Sequence, residues 1–384
     1  MATAQRRAEA AQASSTFHVA MAMLGGRAFA ETLKAWDDVV PMSTRVGATS
    51  ATFIQQALKI VRFRRHEVQA ILIPYMRLTR ALHTGYTFQP VFAAEPAAVS
   101  ISKLRNDFYE AVEKFAPDAL VSSSIPDFYA EDKRDDSTAI EEPDGSPYTP
   151  YDRDSWRDGL DVEGEEIDLL AEILDERERA AEAEAEAVMK ELSDRLFRKK
   201  LAEARAEDDE SREEAHQKVG RRVAAHAERM VQNGGRHAEE SIALADRRVI
   251  GFVRVHYPEG DPHPCSFCAM LLSRGVVYKE GTVEKRSTGR NSGRWKVWRK
   301  GFDVPGAEFD KYHPLCHCRG EAVYSGDQYG TDPRFQVNRE LSRLWQKNIA
   351  NKSSGKGAES DWRALLKNLD EAGQASAEED ENAD

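Results

Sequence analysis

All four cysteines of the chain fall in one segment, as two close pairs: Cys265-x2-Cys268 and Cys316-x-Cys318. A histidine stands beside each pair, His263 before the first and His313 before the second. Thiolates and imidazoles are the ligands of a tetrahedral zinc ion, and two ligand-bearing turns from distant sequence can supply four donors without a large core. The Cys-x2-Cys half is the stronger signal. In the second half an extended backbone would put Cys316 and Cys318 on one face and turn His317 away, whereas a turn would let His313 replace one cysteine. These residues therefore predict a structural zinc site made either of Cys265, Cys268, Cys316 and Cys318 or of three of them with His313. Two disulfides, or four unlinked thiols, are the plainer alternative.

A second cluster lies between the pairs. Lys285, Arg286, Arg290, Arg294, Lys296, Arg299 and Lys300 are interleaved with Trp295 and Trp298, a pattern able to contact phosphates and stack on bases. The plainer reading, and the favoured one, is a solvated hairpin whose tryptophans pack on the zinc unit. His18, His66, His83, His216, His226 and His237 sit on or near predicted helices with no paired ligand in register, and read as surface or packed residues. The chain carries no His-Glu-x-x-His, Gly-x-Ser-x-Gly, phosphate-binding glycine loop or dinucleotide fingerprint, so the sequence assigns no catalytic residue and no small-molecule substrate.

The elements that must position these groups fill 384 residues, enough for two or three domains. A charged fraction of 31% and a mean hydropathy of −0.62 favour long solvated helices. No apolar run approaches a bilayer span, and Met1 to Ser15 does not read as a signal peptide. A cytosolic setting is expected, where clustered cysteines bind metal more often than they form disulfides. The net charge of −12 is uneven. Residues 130–215 hold 31 acidic and 13 basic side chains, whereas residues 216–350 hold 23 basic and 15 acidic ones, so the part with the cysteines is itself basic.

Residues 1–121 read as a helical bundle. Phe53, Ala57, Val61, Val68, Ile71, Leu72 and Tyr75 recur at helical spacing, and Pro74 is expected to kink or end that helix. Ser100 is the predicted N-cap of a helix carrying Leu104, Phe108, Val112 and Phe115, stopped by Pro117. Residues 122–161, rich in Pro, Ser, Asp and Tyr without a period, read as an acidic flexible linker. Residues 162–244 read as long Ala/Glu/Arg-rich helices with a narrow apolar seam, closed by Gly234-Gly235. Alternation over residues 249–255 and strand formers at 276–278, 295–298 and 322–324 make residues 245–326 a small α+β domain. Residues 327–384 read as a helical segment and an acidic disordered tail. The fold class is thus α+β: a mainly helical N-terminal region and long helices, followed by a small zinc-stapled α+β unit.

The order of these parts resembles the MuF-like minor capsid (head morphogenesis) proteins of phages, in the version found in phages of actinobacteria. The resemblance rests on the strand Arg247-Arg248-Val249-Ile250-Gly251-Phe252-Val253-Arg254, then Pro264-Cys265-Ser266-Phe267-Cys268 running on to Ser273-Arg274-Gly275-Val276-Val277-Tyr278, then Tyr312-His313-Pro314-Leu315-Cys316-His317-Cys318. It is strongest over about 85 residues and looser over the N-terminal helices, where 81–87 resembles a turn of the same proteins. His317 stands where relatives often carry Arg. The resemblance implies a minor component of the virion head, present in the host cytoplasm during assembly. Portal protein and major capsid protein are its implied partners, with scaffold and DNA as further candidates and no membrane. Relatives are often labelled capsid maturation proteases, although the residues quoted supply no nucleophile and base. A non-enzymatic assembly protein is the first reading, a capsid maturation protease the second, and a DNA-binding virion protein the third.

Overall fold

The computed structural model describes residues 2–40, 46–88, 98–122, 137–142, 169–196, 199–200, 203, 209–246, 248–256, 264–278, 316, 318–350, 357–358 and 360–368. The fold class is α+β and mostly helical, with two small three-stranded sheets among the described residues. The chain divides into two compact units, Met1–Val249 with Val297–Cys316, and Ile250–Lys296 with His317–Asp384.

Three long helices dominate the first unit: α1 (Ala2–Val39), α2 (Val46–Thr84) and, later in the chain, Asp209–Ala245. Each packs on the other two. Phe17, Met21 and Leu24 of α1, Phe53, Ile71, Leu72 and Tyr75 of α2, and Val219, Val223 and Val231 of the third helix are all buried. Phe17 stacks on Tyr75 with ring centroids 4.6 Å apart, and Trp36 meets Phe53 edge-on at 5.2 Å.

Pro74 does not end α2, which continues to Thr84. A proline in a helix interior, which loses a backbone hydrogen bond and whose ring crowds the preceding turn, costs about 3 kcal/mol, and the buried side chains on both sides of Pro74, among them Leu72, Tyr75 and Leu78, offset it. The end comes at Gly85, whose φ of 76° lies in the left-handed region and whose N–H donates to the Ala81 carbonyl at 2.8 Å.

Two short strands follow, β1 (Tyr86–Phe88) and β2 (Ala98–Ser100). The helix α3 (Ile101–Phe115) begins where the sequence places its cap: the Ser100 side chain accepts the Lys103 N–H at 3.1 Å. A short helix, α4 (Asp118–Ser122), comes next. Residues 138–142, inside the stretch read as an aperiodic linker, instead form the strand β3 (Thr138–Glu142). It lies between the other two, parallel to β1 and antiparallel to β2. Five residues are too few to show a period, and both partners lie about 40 or more residues upstream, so local pattern cannot reveal the pairing.

The acidic helical stretch begins as α5 (Leu169–Lys190), and the third long helix of the bundle is α6 (Asp209–Ala245). Gly234-Gly235 does not stop α6. A Cβ on Gly235 would lie 2.6 Å from Val68 Cγ1 and 3.1 Å from Met21 Sδ, so glycine here permits close helix packing rather than a turn.

Among the described residues, three ion pairs with a buried arginine join distant parts of this unit: Arg105 to Glu9, Arg65 to the half-buried Glu178, and Arg80 to Asp246. The last is bidentate, at 2.7 and 3.1 Å. Asp246 also accepts the Arg248 N–H at 2.9 Å, which fixes the chain as it leaves α6. Removing one member of such a pair strands a buried charge, at about 3–5 kcal/mol.

In the second unit β4 (Gly251–His256) is the central strand, antiparallel to β5 (Val277–Tyr278) and to β6 (Cys318–Val323). Val253, Val255, Val323 and Phe335 form one small core. The helix α7 (Ser266–Leu272) follows the first cysteine, and α8 (Gly326–Thr331) and α9 (Gln336–Asn348) follow β6. Ala269 and Leu272 of α7 share a second core with Leu341, Ile349, Ala358 and Trp362. The helix α9 and the segment with Ala358 and Trp362 are therefore built into the same core as the first cysteine pair's helix. Asn338 of α9, itself buried, donates to the Arg254 carbonyl at 2.6 Å and to the Leu272 carbonyl at 3.1 Å, tying β4 and α7 to α9.

One half-buried histidine of α6 gives a pH signature. Burial first, then Arg229 and Arg222, push the His226 pKa from 6.5 down to about 4. Above pH 6.5 it is neutral whether folded or unfolded and contributes no pH dependence. Between pH 6.5 and about 4 the unfolded chain binds a proton that the folded chain refuses, so stability falls with falling pH in that window. His226→Gln is expected to flatten this part of the acid limb, read as denaturant midpoints from pH 7 to pH 4.5.

Candidate metal centre

The first cysteine pair is set by a helix start. Cys265 is the N-cap residue of α7, and its Sγ accepts the Cys268 N–H at 3.4 Å. Cys265 is exposed and Cys268, one turn on, is buried. The second pair is set by a strand start: Cys318 opens β6, with Cys316 one residue removed from it by chain connectivity alone.

The sulfurs of Cys268, Cys316 and Cys318 all lie within 4.8 Å of one another, the one such group among the described residues. The three residues are 2%, 2% and 1% exposed. None of the four cysteines is in a disulfide, which sets aside the disulfide half of the plainer alternative. The group could hold a metal ion, and its donors are the soft thiolates that suit zinc, copper(I) or iron–sulfur clusters. Cys316 is held by its backbone as well, because the buried guanidinium of Arg236 donates to its carbonyl oxygen. Arg236 is itself fixed by the side chains of Gln232, at 2.8 Å, and Asn233, at 3.0 Å. Outer contacts of this kind fix the orientation of ligating residues.

Register supplies a group that the sequence reading does not single out. His256, the last residue of β4, pairs directly with Cys318 of β6, and its Nδ1 is 3.5 Å from Cys318 Sγ. The period-two alternation of β4 shows only that His256 shares a face with Phe252 and Arg254; which residue of a distant strand stands opposite is not a local property. On the other face, Arg319 is fully buried with Glu321 at 3.6 Å, and Glu321 also pairs with Arg334.

His313 and the basic cluster of Lys285, Arg286, Arg290, Arg294, Trp295, Lys296, Trp298, Arg299 and Lys300 lie outside the described residues. The histidines read as packed or surface residues include two that are buried: His18, and His216, whose ring Nε2 lies 2.8 Å from the Val40 carbonyl.

The family described as VG15 protein matches residues 168–374, more than half of the chain, from the start of the acidic helices through both cysteine pairs and α9. The chain belongs to the VG15 protein family. This is a phage virion-gene family, and membership supports a phage structural role in the broad sense. No curated protein and no solved structure matches the chain. No helix of the described residues is long and apolar enough to cross a membrane.

The burial pattern is directly testable with thiol reagents. In the native protein Cys265 is expected to be alkylated first, with Cys268, Cys316 and Cys318 labelled only on unfolding. Peptide mass spectrometry after timed alkylation reads the order, and equal labelling of all four would contradict the grouping.

Proposed function

We propose that this protein is a minor component of the phage head, acting in head assembly beside the portal and the capsid shell as the MuF-like proteins do. The observation that carries the reading is the VG15 match, which spans the long acidic helices and all four cysteines. The order of strand, Cys-x2-Cys turn and His-Pro-x-Cys-x-Cys ending, on which the MuF-like resemblance rests, falls inside that span. The partners in this reading are the portal protein and the major capsid protein, and the protein resides in the virion.

In the same reading the ion at Cys268, Cys316 and Cys318 is zinc and its role is structural. Zinc bound by four protein groups keeps no open position for water and supplies folding free energy instead of chemistry. The strands β4, β5 and β6 hold few residues each, and a unit of this size gains from such a staple.

Two outcomes are expected. Protein purified without chelator should carry about one zinc per chain, and Cys268→Ser should release the metal and lower the thermal midpoint of the C-terminal unit; a metal-free native protein would remove the staple. Purified virions should contain the chain in few copies by quantitative mass spectrometry, and the isolated protein should co-sediment with cognate portal or shell assemblies. Absence from virions would overturn the assembly reading, and specific cleavage of the capsid subunit by the purified protein would favour a maturation protease in its place.

A further inference from the structure

Behind Cys316 lies a row of buried polar side chains on α6. Glu228, Gln232 and Arg236 are spaced four residues apart, so they share one helix face, and all three are buried. Each is bonded to the next. The Gln232 amide donates to Glu228 at 3.2 Å, the Arg236 guanidinium donates to the Gln232 amide oxygen at 2.8 Å, and the same Arg236 nitrogen reaches the Cys316 carbonyl. Asn233 accepts from the other terminal nitrogen at 3.0 Å. The row also touches α1. Gly25 is buried against it, and a Cβ there would lie 2.9 Å from Gln232 Nε2 and 3.1 Å from Glu228 Cγ. Gly26, the next residue, is exposed, and a Cβ on it would meet nothing within 4 Å.

We infer that Arg236 is a positioning residue of the metal centre, and that the row Glu228–Gln232–Arg236 ties metal affinity at Cys316 to the packing of α1 on α6. The inference rests on the metal reading given above. A buried guanidinium is costly unless its acceptors stay in place. The place of Arg236 is thus set by Gln232, and that of Gln232 by the room left at Gly25. Displacing Gln232 loosens the nitrogen that fixes the Cys316 carbonyl, and a ligand whose backbone can shift holds an ion less well. Coupling of this kind is reciprocal, so a bound ion holds the row and the α1–α6 contact more firmly in turn.

Zinc affinity of the full-length protein, read by competition with a chromophoric chelator, tests the inference. Arg236→Gln should weaken binding by roughly 10–100-fold, and Arg236→Lys, which keeps a cationic donor for the carbonyl, should recover part of the loss. Cobalt(II) spectra of both should keep the wild-type sulfur-to-cobalt charge transfer per bound ion, because neither substitution removes a ligand. The deciding comparison lies in α1. Gly25→Ala and Gly26→Ala bring the same gain in helix propensity, but only the first presses on Gln232. Gly25→Ala should bind zinc about tenfold more weakly, and Gly26→Ala should match the wild type. Wild-type affinity in Gly25→Ala, or equal losses in the two alanine variants, would overturn the coupling even if Arg236→Gln fails to fold. Failure of folded wild-type protein to bind zinc or cobalt at all would instead remove the metal reading on which the inference depends.

Discussion

The pairing of β4 with β6 is the constraint on which the cysteine-bearing unit depends. Six residue pairs in antiparallel register, from Gly251 with Val323 to His256 with Cys318, fix at once which side chains enter the core and which reach the thiol group. A slip of β6 by one residue would turn Val323 away from Val253, Val255 and Phe335 and carry Cys318 to the opposite face. The register is therefore held by hydrophobic burial, and the site inherits its geometry from the core. Asn338 reinforces this by satisfying the Arg254 and Leu272 carbonyls from a single buried amide, since a buried carbonyl without a donor is costly.

The first unit is organised by a different principle. Its long helices each expose much surface and must recover stability by close contact, which explains why glycine occurs in the middle of α6. At Gly220 a Cβ would lie 2.5 Å from Trp36 Cδ1, and at Gly235 one would press on Val68. Intrinsic helix propensity is given up at these points for tighter packing with α1 and α2. The buried ion pairs then select which helices meet: Arg80 accepts only a partner that brings a carboxylate to its depth, and Asp246 does so at the end of α6. Charged groups at such depth favour one arrangement over others that hydrophobic contact alone would tolerate.

What the sequence made legible follows from how far each signal reaches. The Ser100 cap is written within four residues and is found where expected. The metal-ligand chemistry was legible in the two cysteine pairs, and three of their four members meet. Gly234-Gly235 was misleading because glycine has two uses, and only the neighbouring helices decide between ending a helix and packing it; at Pro74 the helix goes on, so of the two outcomes expected there the stop is the one that fails. The strand β3 was missed because its partners are remote. His256 carried no signal at all: a lone histidine at a strand end acquires meaning only when register sets it across from Cys318. Local chemistry was readable, and relations between distant segments were not.

The sheet order also bears on how such a gene can diversify. β5 and β6 flank the same central strand, β5 against Gly251 and Phe252 and β6 along its whole length. The interval between Tyr278 and Cys316 thus joins two strands that are each fixed on β4 by their own pairing. Lengthening a connection whose ends are fixed costs only about 0.6 kcal/mol for each doubling. The sheet therefore sets little cost on the length of that interval, because the pairing of β6 with β4, and not the connection, places Cys318.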